Sequence, residues 1–183
     1  MNKVFFGGSR KLNRINSAIR ERADNIISNN LSVLIGDANG ADKAMQKYLA
    51  EKSYKTVIVY CVGDTCRNNL GKWQINSITS NSSKKDFNYY ATKDKKMSED
   101  ADYGFMLWDG ESKGTLNNIV NLLQSNKYVL AYFSPAKEFF TLKNFGDLEK
   151  LLRKCDQRNK KTFQQILRTH EGLSNTQKEL RLA

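Results

Sequence analysis

LSVLIGDANGADKAMQKYL, residues 31–49, is the stretch that decides the fold. Residues 31–35 form a short apolar run dense in Val, Leu and Ile. The run is too short for a helix and suits a strand buried on both faces. Gly36-Asp37-Ala38-Asn39-Gly40-Ala41-Asp42 is a turn of Gly, Asp and Asn, and beyond it Ala41, Ala44, Met45, Tyr48 and Leu49 recur at helical spacing. Strand, glycine loop and helix start in that order aim backbone N–H groups and the positive end of a helix dipole at one spot, which suits a phosphate. The plainer reading is a tight turn of any α/β protein, and the segment alone does not choose between the two.

Working outward, residues 3–7 read as a strand ending in Gly7-Gly8-Ser9-Arg10. A helix follows over residues 13–29, with Ile15, Ile19, Ala23, Ile26 and Ile27 on one face. Residues 56–62, TVIVYCV, are β-branched and aromatic and read as a third strand. Residues 63–85 are rich in Asn, Ser and Gly with isolated Trp73, Ile75 and Ile78, and read as a long loop, either functional or mobile. Phe87, Tyr90, Ala91, Asp94, Met97 and Ala101 predict a helix over residues 85–99. Residues 103–108 form a fourth strand, followed by the loop Asp109-Gly110-Glu111-Ser112-Lys113-Gly114-Thr115 and a helix marked by Leu116, Ile119, Val120 and Leu123. KYVLAYF, residues 127–133, is a fifth strand, and residues 139–142 suit a short edge strand.

Strands alternating with helices give an α/β class: a Rossmann-like three-layer sandwich with a mostly parallel sheet of about five strands and right-handed crossovers. Residues 1–146 are the expected Rossmann-like domain. Residues 147–183 are a small C-terminal helical extension, with Leu148, Leu151, Leu152 and Cys155 on one helix face, Phe163, Ile166 and Leu167 on another, and a polar end over residues 172–183. Ligands bind such sheets beyond the carboxyl ends of the strands, so the loops after the first, second and fourth strands should share one rim.

Composition narrows the function. The 183 residues contain one Pro and are 39% hydrophobic, which suits a folded chain. No apolar stretch is long enough to span a membrane, and MNKVFFGGSR lacks the shape of a signal peptide. Cys61, Cys66 and Cys155 are odd in number and show no CxxC spacing, which argues against a disulfide framework or zinc site and for a cytoplasmic setting. A single histidine, His170, argues against His-based catalysis, and no metal is expected. A net charge of +11 suits a polyanionic partner, either nucleic acid or a nucleotide, though host composition gives the same number.

Gly7-Gly8-Ser9-Arg10, Gly36 to Asp42, and Trp108-Asp109-Gly110-Glu111-Ser112-Lys113-Gly114-Thr115 together resemble the SLOG superfamily, in particular its YpsA-like branch with GSR, GxAxGAD and WDGxSxGT patterns. The resemblance covers residues 3 to 134. It implies a Rossmann-like sensor or enzyme of nucleotides and nucleotide-derived ligands. The superfamily includes the Lonely Guy phosphoribohydrolases, which cleave the base from a nucleoside monophosphate, and the DNA processing protein A family, which binds single-stranded DNA. The phosphoribohydrolase pattern has an Arg on the helix before the fourth strand and a Glu three residues after Gly-Thr. Here those positions hold Lys93 and Asn118. Asn cannot act as a carboxylate, and Lys keeps the charge but loses the bidentate fork.

The expected function is binding of a nucleotide or a NAD- or ADP-ribose-like ligand at this rim, as sensor or carrier, with no further cofactor. The expected ligand contacts are Gly8, Ser9, Arg10, Gly36, Asp37, Gly40, Asp42, Arg67, Asp109, Ser112, Gly114, Thr115 and Asn118. For Asp42, capping of the helix competes with binding. Trp108 suits the core and Asp109 the site. Arg67 and Trp73 suit either a base-and-phosphate clamp or a plain surface loop. The alternatives are a nucleotide N-glycosidase using Asp109, Asp37 and Lys93, and a single-stranded nucleic-acid binder using Trp73, Tyr89, Tyr90 and Lys93. Lys84, Lys85, Lys93, Lys95 and Lys96 read more readily as a solvated helix face than as a nucleic-acid track. The sequence leaves a homo-oligomer open.

Overall fold

The computed structural model describes residues 1–79, 87–156, 159 and 163–168. The elements run β1 (Lys3–Gly8), α1 (Ser17–Ser28), β2 (Ser32–Gly36), α2 (Ala41–Glu51), β3 (Val57–Val62), β4 (Gln74–Ile78), α3 (Phe87–Asp100), β5 (Tyr103–Trp108), α4 (Lys113–Gln124), β6 (Val129–Phe133), β7 (Glu138–Leu142) and α5 (Phe145–Leu152). They form an α/β sandwich around one seven-stranded sheet in the order β4-β3-β2-β1-β5-β6-β7. Every pairing is parallel except β6 with β7.

The period-two alternation of the strands sorts their side chains into two cores. From β1, Val4 and Phe6 face α1 and α2, where they meet Ile19, Ala23, Met45 and Leu49. Phe5 faces the other way and joins Met97 of α3, Leu116 and Ile119 of α4, and Leu148 and Leu151 of α5. All five residues of β2 are buried, as expected of a parallel strand covered on both faces. Trp108 is fully buried, stacks near Phe133 and Phe163, and donates its indole N–H to Ser112 O at 3.1 Å. Phe163 lies in a described helical stretch, 163–168, and shares the core of α3 and α4.

Several expectations are corrected. The sheet has seven strands against about five: the edge strand expected over residues 139–142 is present as β7, and β4 emerges from the stretch read as a loop. Polar Gln74, Asn76 and Ser77, broken only by Ile75 and Ile78, hide an edge strand that is largely wet. Trp73 is buried, and its indole N–H donates to Tyr54 O at 2.7 Å, so it pins that strand and is no base clamp. Helix α1 begins at Ser17, capped by Asn16, whose side chain accepts from Ile19 N. Cys61 and Cys66 form a disulfide, against the expectation of none: the turn after β3 folds back and brings the two Cα atoms to 5.3 Å. Cys155 is free and buried. Lys93 is buried and not on a solvated face. Lys84, Lys85, His170 and residues 172–183 lie outside the described residues. Among the described residues no helix is long and apolar enough to cross a membrane, and no cluster of His, Cys, Asp or Glu could hold a metal ion.

Candidate functional site

From β1 the chain winds outward through β2, β3 and β4, then returns to place β5 on the other side of β1. The crevice at the carboxyl ends of β1 and β5 is therefore the topological switch point of the sheet, the usual place for a ligand in such folds. A cavity of about 710 Å³ opens there. Its wall takes residues from the turn after β1, the turn after β5 and the first turns of α4, with Tyr90, Lys93 and Asp94 of α3 opposite.

The two main loops are laced together. Ser9, itself buried, donates its hydroxyl to Asp109 Oδ2 at 2.5 Å and its backbone N–H to Leu107 O at 2.9 Å. The other oxygen of Asp109 accepts the N–H groups of Glu111 and Ser112, at 3.0 and 2.8 Å. Burial pushes the Asp109 carboxyl up, but these hydrogen bonds from Ser9, Ser112 and Glu111 outweigh it and hold the group below the usual carboxylate range. Across the mouth, Lys11 and Glu111 form an exposed ion pair.

Ser112 is the N-cap of α4 and accepts from both the N–H and the hydroxyl of Thr115, at 3.3 and 3.0 Å. Leu116 N–H donates to Ser112 O. In the first turn, Lys113 and Gly114 are thus the N–H groups that Ser112 leaves without an intrahelical acceptor, and both residues line the cavity. One turn further in, Asn118 also lines it. Its Oδ1 has no hydrogen-bond partner, alone in this respect among the buried side-chain polar atoms of the described residues.

Arg67 forms the far wall. Its Nη2 and Nε reach Asp37 Oδ1 and Oδ2 at 2.5 and 3.0 Å, its backbone N–H reaches Oδ2 at 3.1 Å, and its guanidinium lies 4.3 Å from the centre of the Tyr90 ring. Arg10 approaches the same ring at 5.7 Å. Burial pushes the Asp37 carboxyl up, but the hydrogen bonds from Arg67, with Lys93 nearby, win and lower it. Asn68 ties the same loop to the β2–α2 turn by donating to Asp37 O at 2.7 Å. Gly40, at φ +83°, lets that turn touch the Arg10 backbone, where any Cβ would collide.

Beneath lies a buried charge cluster. Lys93 Nζ donates to Asp94 Oδ1 at 2.5 Å. Burial works against its charge, yet Asp94, Asp42 and Asp37 outweigh it and raise its pKa. Among the described residues Asp42 is buried without an ion-pair hydrogen bond of its own and accepts only from Ala38 N at 3.3 Å. Burial, helped by Asp94 and Asp37 and opposed by Lys93, pushes its carboxyl up to about 7. The N-cap of α2 is Gly40, so Asp42 is not the cap. A Cβ at Gly36 would fall 2.5 Å from Asp42 Oδ2 and 2.9 Å from Lys93 Nζ, so this glycine makes room for the cluster.

Of the residues expected at the site, the fold brings Gly8, Ser9, Arg10, Asp42, Arg67, Lys93, Asp109, Ser112, Gly114, Thr115 and Asn118 to one cavity. Gly36, Asp37 and Gly40 stand behind it, Asp37 as the anchor of Arg67. Sequence reasoning gave no site role to Asp94, read only as a helix position, to Lys113, a variable position of the third motif, or to Asn159, brought in by the C-terminal extension. Arg10 and Lys113 stand in no ion pair among the described residues. Comparison with protein-family models, with curated proteins and with solved structures found no match.

Proposed function

We propose that this cavity binds a nucleotide or a nucleotide-derived ligand, NAD- or ADP-ribose-like, and that the protein acts as a sensor or carrier of it. The meeting of the turns after β1 and β5 at the switch point, with Ala38 and Asp42 of the turn after β2 beside them, supports this reading best: first-turn N–H groups of α4, two unpaired cations in Arg10 and Lys113, and an aromatic face in Tyr90 surround one space. The N–H groups and cations suit a phosphate, and the ring suits a base. A volume of about 710 Å³ falls within the range of roughly 300–1,000 Å³ common for small-molecule sites. The resemblance of the three motifs to the SLOG superfamily points the same way.

Titration calorimetry with AMP, ADP, NAD and ADP-ribose tests the proposal. Saturable binding is expected with at least one, weakened about tenfold by Arg10→Ala. No heat with any of them at millimolar concentration overturns it.

One observation favours a nucleotide N-glycosidase as the second reading. Asp37 and Asp109 are spent on Arg67 and on Ser9 with the loop backbone, but Asp42 carries a carboxyl at about 7 on the cavity wall, suited to protonate a departing base. Free base released from a nucleoside monophosphate, and lost in Asp42→Asn, would support it. Release equal to a buffer blank would end it. Single-stranded nucleic-acid binding gains nothing from Lys93, which is buried, or from Lys96, which pairs with Asp100.

A further inference from the structure

We infer that Cys61 and Cys66 form a reversible redox site that governs the cavity: reduction by a dithiol releases the turn that presents Arg67 to the cavity wall. The effect on affinity rests on the proposed nucleotide ligand; the release of the turn does not.

The chain between the two sulfurs is held firmly at both ends and loosely between. Cys61 is fully buried in β3, in register with Ser77 of β4. Gly63, at φ +78°, then turns the chain away from the sheet. Its N–H donates to Ile78 O at 3.1 Å, and its carbonyl accepts from the Ser77 hydroxyl at 2.6 Å. On the far side Asn68 donates to Asp37 O at 2.7 Å and accepts on its own carbonyl from Gln46 Nε2 at 3.2 Å. Between these anchors Asp64, Thr65 and Cys66 make no hydrogen bond among the described residues. The span is closed by the disulfide, across 5.3 Å between Cα atoms, and by packing of Cys66 against the core beside α1 and α2.

The two cysteines differ in access. Cys61 is sealed in the sheet, while Cys66 is partly exposed beside exposed Asp64 and Thr65. A dithiol therefore attacks as its thiolate at Cys66, forming a mixed disulfide and expelling Cys61 as a thiolate that takes up a proton. The second thiol of the reductant then closes on its own partner sulfur and expels Cys66, which is protonated in turn. The reductant loses two electrons and two protons and becomes a disulfide; the protein pair gains both, and a small disulfide drives the exchange backwards. Arg67 carries the consequence because it follows Cys66 directly. Its guanidinium bonds both oxygens of Asp37 and lies 4.3 Å from the centre of the Tyr90 ring, on the cavity wall. With the disulfide closed, that side chain is presented in place before any ligand arrives. With it open, ordering the turn opposes binding, and one long side chain to be immobilised weakens affinity by about two- to tenfold.

The experiment equilibrates the full chain in mixtures of reduced and oxidised dithiothreitol. Thiols are counted by acid quench, alkylation and peptide mass, backbone amide exchange is followed over residues 62–68, and AMP and ADP-ribose affinities are measured in each state. Reduction should yield thiols at Cys61 and Cys66 in a protein that still melts cooperatively, with faster exchange confined to residues 64–67, and oxidation should restore the starting state. Affinity should fall about two- to tenfold on reduction. Cys66→Ser should stay at the reduced value whatever the buffer, and Arg67→Ala, with its fold checked by its thermal midpoint, should lose the redox response. Thiols that appear only where the protein unfolds overturn the inference. Exchange at Arg67 that is the same in both states overturns it too, as does a redox response that persists in folded Arg67→Ala. Equal affinity in both states overturns it and leaves the nucleotide proposal intact. Faster exchange on reduction with no nucleotide bound in either state upholds the release of the wall and removes the nucleotide proposal.

Discussion

Asp42 and Asp37 show how two carboxylates of one turn come to opposite states. Asp37 has a guanidinium and a backbone N–H; Asp42 has one backbone N–H and burial. Because the folded-state pKa of Asp42 is raised to about 7 from an unfolded value near 4, the folded state holds a proton that the unfolded state has released between those limits. Asp42 therefore costs stability progressively as pH rises from about 4 to about 7, and the full cost stands above that. The lowered pKa of Asp37 works the other way: its contribution is present above its unfolded value and is lost as pH falls through the folded one. Asp42→Asn should remove the Asp42 slope. Chemical denaturation at pH 5 and pH 8 should show the unaltered protein losing about 2 kcal/mol relative to the variant over that interval. A second expectation concerns Arg67→Ala, which strands the buried Asp37 carboxylate. Denaturation should show a loss of about 3 kcal/mol, less in Arg67→Ala combined with Asp37→Asn. None of this pairing was legible in the sequence, since Asp37 and Arg67 stand 30 residues apart and nothing local links them. Lys93 misled for a related reason: lysine usually reads as surface, and only its three carboxylate neighbours make burial tolerable.

At the level of elements, the apolar strands were legible because burial on both faces leaves little choice of residue. β2 and β5 follow directly from their runs of Val, Leu, Ile, Phe and Met. β4 was not, because an edge strand is half solvated and its polar residues match those of a loop. Its anchor, Trp73, is then a core residue, and Trp73→Ala should destabilise by about 3 kcal/mol or more in a denaturant titration. The loop between β3 and β4 has a second tie in Cys61–Cys66. A ring this short restrains the unfolded chain little, so Cys66→Ser or added reductant should lower stability by about 2 kcal/mol at most. Arg67 follows Cys66 directly, so nucleotide affinity measured with and without reductant reports whether that tie also steadies the cavity wall.

For the molecule as a whole, the order β4-β3-β2-β1-β5-β6-β7 gathers residues from opposite ends of the chain into one space. The α/β class and the shared rim could be read from three glycine turns in sequence order. The cavity's contents could not: they depend on which side chains neutralise one another, which is a property of the assembled fold. Net charge of +11 and the ion pairs already made within the cavity leave Arg10 and Lys113 as its unpaired cations among the described residues. The most direct measurement is an ¹H–¹⁵N correlation spectrum of the full chain titrated with AMP and ADP-ribose. The account predicts saturable shifts at the backbone amides of Gly8, Ser9, Lys113 and Gly114. Shifts confined to the opposite end of the sheet, near Tyr103 and Tyr128, or none at millimolar ligand, would contradict it.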